Sequence, residues 1–297
     1  MSAGPRFTII TPVLNRAGMV AAALDSVRAQ NHRSVEHIVV DGGSTDGTLD
    51  VVRRYPEVRL LGGPDDGLYD AINKGLAVAT GAVVGLVNSD DVLCPGALEA
   101  LEAALDRHPE ADSACGGAVV TGAGGAPVAA YDDEATKRLD FRTALRGVPI
   151  TNARFFRRRW FARVGGFDLR YPIAADRDFL IRSLQAGLVT APVPARVYEY
   201  RAHPGSLTIA AAARQGRRTR EEYLALARRW LAEPHADPTL RRAAADWLAV
   251  ETAWKALHHL RAHEPGRAAA SALDAFAADP FWPARLVAET GRHLVRR

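Results

Sequence analysis

Residues 82–93 read AVVGLVNSDDVL: an apolar, largely β-branched run, then Asn88, Ser89 and two adjacent aspartates, Asp90 and Asp91, before apolar residues resume. Such a run, closed by turn-forming residues, reads as a buried strand. Two like charges side by side at its end repel each other unless a cation or a set of donors compensates them. The same setting recurs twice upstream, where Asp41 follows EHIVV (36–40) and Asp65 and Asp66 follow VRLL (58–61). One aspartate after a strand is an ordinary turn or cap. An acid after each of three successive strands points to a shared divalent cation. With no His or Cys beside Asp90 and Asp91, these two carboxylates suit Mg²⁺ or Mn²⁺, which needs only one or two when substrate phosphates complete its shell. The competing reading of the pair is an Asx turn and helix cap ahead of Pro95.

Outward from this stretch, short β-branched runs alternate with longer amphipathic ones from Arg6 to about Gly116. FTIIT (7–11) is a strand, and Asn15 is placed to cap a helix carrying Val20, Leu24 and Val27. After Asp41 comes the loop DGGSTDGT (41–48), whose Gly43 and Ser44 let the backbone approach a ligand and whose amides open a helix. A helix over 68–79 follows, and Pro95 opens another running to about His108. This alternation predicts an α/β, mainly parallel sheet flanked by helices. In such sheets ligands bind at the carboxyl ends of the strands. Further on, ACGGAVVTGAGGAPVAAY suggests two strands around a Gly-rich turn, and Lys137–Arg146 a helix. DRDFLIRSLQAG reads as a helix stopped by Gly187, and RVYEY as a last strand. Beyond about Ala210 strand signals give way to Ala-, Leu- and Arg-rich periodicity broken by prolines. We therefore divide the chain at 210: an α/β domain, 1–210, with a regular alternating half (1–116) and a less regular half (117–210), and a helical subdomain, 211–297, of several short antiparallel helices.

Composition bounds the function classes. The chain has 297 residues, 48% hydrophobic, and no apolar run long enough to span a bilayer. The amino end enters a strand without a leader pattern, so a cytoplasmic chain is expected. The formal charge of +4 is nearly all arginine, which does not by itself make a nucleic-acid partner. Cys94 and Cys115 lack metal-ligand spacing and read as reduced thiols. At the carboxyl end, FWPARLVAETGRHLVRR (281–297) mixes aromatics with arginines, as an interfacial helix does at the inner face of a cell membrane. The alternative is packing on the α/β domain or on the second subunit of a homodimer.

TIITPVLN, VVDGGSTDGT, DDGLYDAINKGLAVATG and LVNSDD, in this order and at these separations, resemble the amino-terminal half of the family 2 glycosyltransferases of GT-A fold. The similarity continues through FFRRRWFARVGGFDLRYPIAADRDFLIRSLQAG and covers about Phe7–Arg201. The sub-pattern at Gly67, Tyr69, Asp70, Asn73 and Gly75 is similar to bacterial members that build polysaccharides on carriers. The resemblance implies that Thr11 and Pro12 border the nucleobase, that Asp41 accepts from a uracil-like imide, and that Asp65 or Asp66 lines the same pocket. It further implies that Asn73 and Lys74 face the nucleotide, that Asp90 meets the ribose and that Asp91 ligates the metal on the diphosphate. Asp176 matches the acidic base position. Inverting transfer needs such a carboxylate to take the proton of the attacking acceptor hydroxyl. Asp178 is read as a partner of Arg182, and His203 as a loop residue within reach of metal or diphosphate. Thr151 and Asn152 stand where relatives often read His-Gln. The expected reaction is transfer from a nucleotide-diphosphate sugar, UDP-linked, to a hydroxyl of a glycan or lipid-linked acceptor. The rival readings are a sugar-phosphate nucleotidyltransferase and a non-catalytic nucleotide-sugar-binding module.

Overall fold

The computed structural model describes residues 6–122, 124–203, 216–278 and 281. Its elements begin with β1 (Phe7–Val13), α1 (Val20–Arg28), β2 (Val35–Asp41), α2 (Thr48–Val52), β3 (Val58–Gly62), α3 (Leu68–Val78) and β4 (Val83–Leu86). There follow β5 (Val92–Leu93), α4 (Ala97–Arg107), β6 (Ser113–Thr121), β7 (Pro127–Tyr131), α5 (Glu134–Arg138) and α6 (Phe141–Arg146). A 3₁₀ turn (Thr151–Ala153), β8 (Arg154–Arg157), α7 (Arg158–Val164), α8 (Ala175–Gln185) and β9 (Thr190–Arg201) come next, then α9 (Gly216–Ala232), α10 (Pro238–Arg261) and α11 (Pro265–Ala278). The chain divides into two compact units, Met1–Leu139 with Val148–Ile209, and Asp140–Gly147 with Ala210–Arg297.

One nine-stranded sheet carries the first unit, in the order β3-β2-β1-β4-β8-β6-β9-β5 with β7 on β6. Every residue of β1 is buried, as a strand covered by helices on both faces requires. Pairing is parallel from β3 through β4 and again between β6 and β9, but antiparallel for β4–β8, β6–β8, β6–β7 and β5–β9. The sheet is therefore mixed, its parallel part filling the first half. The register aligns Val13, Asp41 and Gly62 across three strands, with Leu86 opposite Ile10 on the other side of β1. The loops after β1, β2, β3 and β4 thus open on one edge. Strand order reverses at β1, between β2 and β4, which is where an open α/β sheet leaves a crevice. The main core gathers Phe7, Ile9, Val83, Leu98, Leu101, Leu105, Phe155 and Tyr198. Gly85 is obligatory there, because a Cβ would run into the Phe155 ring.

Two local expectations are corrected. Asn15 does not cap α1, which starts at Val20 behind Met19 with no side-chain cap. Asn15 instead takes a left-handed conformation, φ 53°, which asparagine tolerates better than most residues. Residues 137–146 are not one helix: Leu139, at φ 52°, breaks the run between α5 and α6. Each piece starts at its own aspartate, Asp133 accepting from the Thr136 N–H and Asp140 from the Thr143 N–H. In the second unit, α10 packs with α6, α9 and α11. Its prolines open helices: Pro238 and Pro265 stand at the first positions of α10 and α11. At 24 residues, α10 is longer than the short helices expected. Among the described residues no helix is long and apolar enough to cross a membrane. Apart from Phe281, the carboxyl-terminal segment read as interfacial lies outside the described residues.

Candidate functional site

The loops after β1 and β2 are sewn together. The Asn15 N–H donates to Ser44 Oγ (2.9 Å) and the Thr45 N–H to Asn15 Oδ1 (2.9 Å). The Ala17 N–H meets Asp46 (3.1 Å) and the Arg16 N–H meets Thr48 Oγ1 (2.8 Å). Asp41, only 2% exposed, accepts from the Gly43 and Ser44 N–H groups (3.0 and 3.1 Å). Those two amides, expected to face a ligand, are thus occupied by a buried carboxylate that needs donors. Thr11 is fully buried and its hydroxyl pairs with His37 Nε2 at 2.9 Å. Burial drives the His37 imidazole down to about 4, so the ring is neutral.

Of the two acids after β3, Asp65 packs its carboxylate against Gly42, where a Cβ would collide with it, and accepts from the Gly67 N–H at 3.0 Å. Asp66 is exposed and offers its N–H to Asp70. Asp65, not Asp66, therefore adjoins the Asp41 loop. Asn73 turns away from that loop. Its Nδ2 donates to the Phe167 carbonyl (2.8 Å) and its Oδ1 accepts from the Phe167 N–H (2.9 Å), a two-way clamp between α3 and the segment after α7. Lys74 bonds the Pro64 carbonyl (2.7 Å) and pairs with Asp70 (2.8 Å). Its ammonium ties the loop ahead of α3 to the helix.

The acidic pair after β4 divides sharply. Asp91 is 5% exposed and accepts from three protein donors: the Arg201 N–H (2.9 Å), the Tyr198 hydroxyl (2.9 Å) and Asn88 Nδ2 (3.1 Å). Burial, and then the charge of Asp90, push its carboxyl up to about 6. Tyr198, fully buried, also accepts from the Asn88 N–H (3.1 Å) and Asn152 Nδ2 (3.1 Å). Asp91 is thus the hub that joins the end of β4 to the end of β9: it is buried and held there by three protein donors. Asn88 belongs to the same hub. Asp90 is half-buried, and His203 Nε2 lies 2.9 Å from its Oδ2. The Arg201–Asp91 bond delivers His203 to that position two residues later.

Asp176 lies in the first turn of α8, behind Ala174, and so is not its cap. The Arg177 N–H (2.7 Å) and the Thr151 hydroxyl (3.5 Å) donate to it, as does the Tyr69 hydroxyl. Burial raises its carboxyl above the usual carboxylate range. Asp178 is fully buried and bonds Arg182 at 2.7 Å, as the sequence spacing predicts. The 3₁₀ turn bridges the two acidic groups, Thr151 reaching Asp176 while the adjacent Asn152 reaches Tyr198 and, through it, Asp91. Ile150, immediately before it, is held at φ 37°, a strained setting for a β-branched residue. Tyr198 carries no role on sequence grounds alone; its signal is YEY (198–200), which places two tyrosines on one face of β9.

Among the described residues no group of three His, Cys, Asp or Glu side chains is placed to hold a metal ion. Asp90 and His203 stand together at this edge, 2.9 Å apart. One carboxylate and one imidazole fit a divalent ion such as Mn²⁺ whose shell is completed by substrate phosphates.

A family model described as "Glycosyl transferase family 2" matches residues 8–165. A "PGL/p-HBAD biosynthesis glycosyltransferase" of Mycobacterium bovis is 36% identical over 186 residues, 61% of this chain and 70% of that protein. An uncharacterized glycosyltransferase of Mycobacterium tuberculosis is 32% identical over 204 residues, 66% and 74% of the two chains. Among solved structures, S. aureus TarS 1–349 in complex with UDP-GlcNAc aligns with a TM-score of 0.64 at 20% identity, over 84% of this chain and 72% of that one. A mannosyltransferase from Pyrobaculum calidifontis, in complex with GDP-Man and Mn²⁺, aligns with 0.60 at 22% identity, over 100% and 82%. These two likenesses carry the fold. With the family model matched over more than half of the sequence, from β1 through the acids of β2 and β4 to the end of α7, the chain belongs to glycosyl transferase family 2 and is a glycosyltransferase of GT-A fold.

Proposed function

We propose that this glycosyltransferase is metal-dependent and inverting, and that it moves a sugar from a UDP-linked donor to a hydroxyl of a glycan or lipid-linked acceptor. The observation that carries the reading is the division of labour among the acids. Asp91 is buried and held by three protein donors, Asp90 stands with His203 at the β4 end, and Asp176 lies across the 3₁₀ turn with its carboxyl raised by burial. Asp90 and His203 would hold a divalent ion on the donor diphosphate. When bound, that ion supplies charge stabilisation for the leaving nucleotide. The neighbouring solved structures, one with UDP-GlcNAc and one with GDP-Man and Mn²⁺, support a nucleotide-sugar donor and a divalent ion in this fold. Asp41, with Asp65 beside it, would meet the base at the β2 end.

Asp176 takes the proton of the attacking hydroxyl. A raised pKa brings a carboxylate closer to the operating pH, which favours general-base work, and such assistance contributes on the order of 10²–10⁴ in rate. Asp41, Asp90, His203 and Asp176 belong to the first compact unit.

The test is release of UDP from a panel of UDP-sugars with Mn²⁺, alongside UDP binding. Asp90→Asn and His203→Gln each weaken Mn²⁺-dependent UDP binding at least tenfold, whereas Asp176→Asn binds UDP as wild type and loses transfer. Equal loss of binding in all three variants rejects the division of roles. UDP binding without turnover over the whole panel favours a nucleotide-sugar-binding module.

A further inference from the structure

The motif GLYDAINKG (67–75) opens α3; its Gly67 and Asp70 bond the loop at Asp65 and Asp66, while Tyr69 and Asn73 reach Phe167 on the side of α8. The Tyr69 ring stacks on Phe167 at 5.2 Å between centroids, with the planes 27° apart. Phe167 is 4% exposed, and its ring also meets Phe179 of α8 at 5.0 Å. Its main chain is held at both N–H and carbonyl by Asn73, one helical turn along α3 from Tyr69. Gly166 is tight against this clamp, since a Cβ there would meet the Asn73 amide. The Tyr69 hydroxyl ends on the Asp176 carboxylate. The tyrosine is therefore locked between α3 and the first turn of α8, with its only reactive atom on Asp176.

We propose that Tyr69 is a positioning residue for the catalytic base: its hydroxyl fixes the Asp176 carboxylate toward the acceptor, and Asn73 and Phe167 hold the ring that carries it. This rests on the reading of Asp176 as the base. Arg177 on α8 itself, Thr151 from the 3₁₀ turn and Tyr200 from β9 are the other polar groups that act on Asp176. None of them shares the Phe167 stack. A hydroxyl that donates to the ionised carboxylate favours that form. Tyr69 therefore opposes the upward push of burial and keeps more of the base ionised at neutral pH.

The experiment follows Asp176 directly, by carboxyl ¹³C titration of wild type, Tyr69→Phe and Asn73→Ala, with the resonance identified by its absence in Asp176→Asn. Initial rates against pH are recorded in parallel. In Tyr69→Phe the Asp176 titration moves up by roughly half to one unit. The acidic limb of kcat/KM moves with it and kcat falls about tenfold, while Mn²⁺-dependent UDP affinity stays within twofold of wild type. Asn73→Ala shifts the titration in the same direction by less, and stands in if Tyr69→Phe does not fold. An unmoved titration in both variants overturns the proposal, as does a loss of UDP affinity matching the loss of rate, which would place Tyr69 at the donor. Full turnover by Asp176→Asn overturns the base assignment instead, and the carboxyl titration then decides the Tyr69 contact separately.

Discussion

Replacing Tyr198 by phenylalanine removes one oxygen and nothing else, yet that oxygen is the meeting point of three hydrogen bonds in a fully buried place. It donates to Asp91 at 2.9 Å and accepts from the Asn88 N–H and from Asn152 Nδ2, both at 3.1 Å. Asp91 keeps the Arg201 N–H and Asn88 Nδ2 but loses a donor it needs, since it is already raised to about 6 by burial. A hydrogen bond to a charged group contributes about 1.5–3 kcal/mol, and a buried donor left without an acceptor costs about 1–3 kcal/mol. Asn88 and Asn152 are half-buried, so water relieves part of their loss. The sum is about 3 kcal/mol. At roughly 2–4 °C per kcal/mol for a unit of this size, the midpoint of thermal unfolding falls by about 6–12 °C. The assay is differential scanning calorimetry in EDTA, so that no ion masks the change. Asn152→Ala, which removes one of the three bonds, falls by about a third as much. The double variant falls no further than Tyr198→Phe alone, because both changes break the same bond. A Tyr198→Phe midpoint within about 1 °C of wild type, or a fully additive double variant, refutes the hub.

His37 gives the pH prediction. Its ring is buried and titrates near 4 in the folded chain, against 6.5 for the free side chain. As pH falls from 6.5 to 4 the unfolded chain takes up a proton that the folded one refuses, so stability falls with pH across that window by about 3 kcal/mol. His37→Gln flattens the stability profile there, as measured by urea unfolding at half-unit steps. Gly85→Ala drives a methyl into the Phe155 ring and costs about 1–3 kcal/mol, with Phe155→Leu in the same chain restoring part of the loss. Gly42→Ala meets the Asp65 carboxylate in the same way, and a crystal structure of that variant shows the loop after β3 displaced from the loop after β2.

The strands are legible because β-branched runs closed by glycine and aspartate leave few alternatives, and the family motifs fall on strand ends. What a sequence leaves open is which of two neighbouring polar groups faces inward. Asp90 and Asp91 are equal as letters. Only the approach of β9, bringing the Arg201 N–H and Tyr198 to Asp91, makes one a buried hub and the other a partner of His203. The same holds for Asp65 over Asp66, separated by contact with Gly42. Asn73 escapes a sequence reading for a related reason: its partner, Phe167, is distant along the chain. The broken helix at 137–146 does carry a local signal, an aspartate three residues ahead of a threonine in each half. The Asn152–Tyr198 bond carries none.

The excursion at Asp140–Gly147 bears on how the molecule tolerates cutting. The chain leaves the sheet after α5, gives α6 to the helical unit and returns at Val148. A protein shortened at 210 would keep α6 while losing α10, against which it packs, and would turn the buried Ala144 and Leu145 toward water. Domain grafts among relatives need to carry this eight-residue loan along with the tail, and a clean excision takes three cuts rather than one.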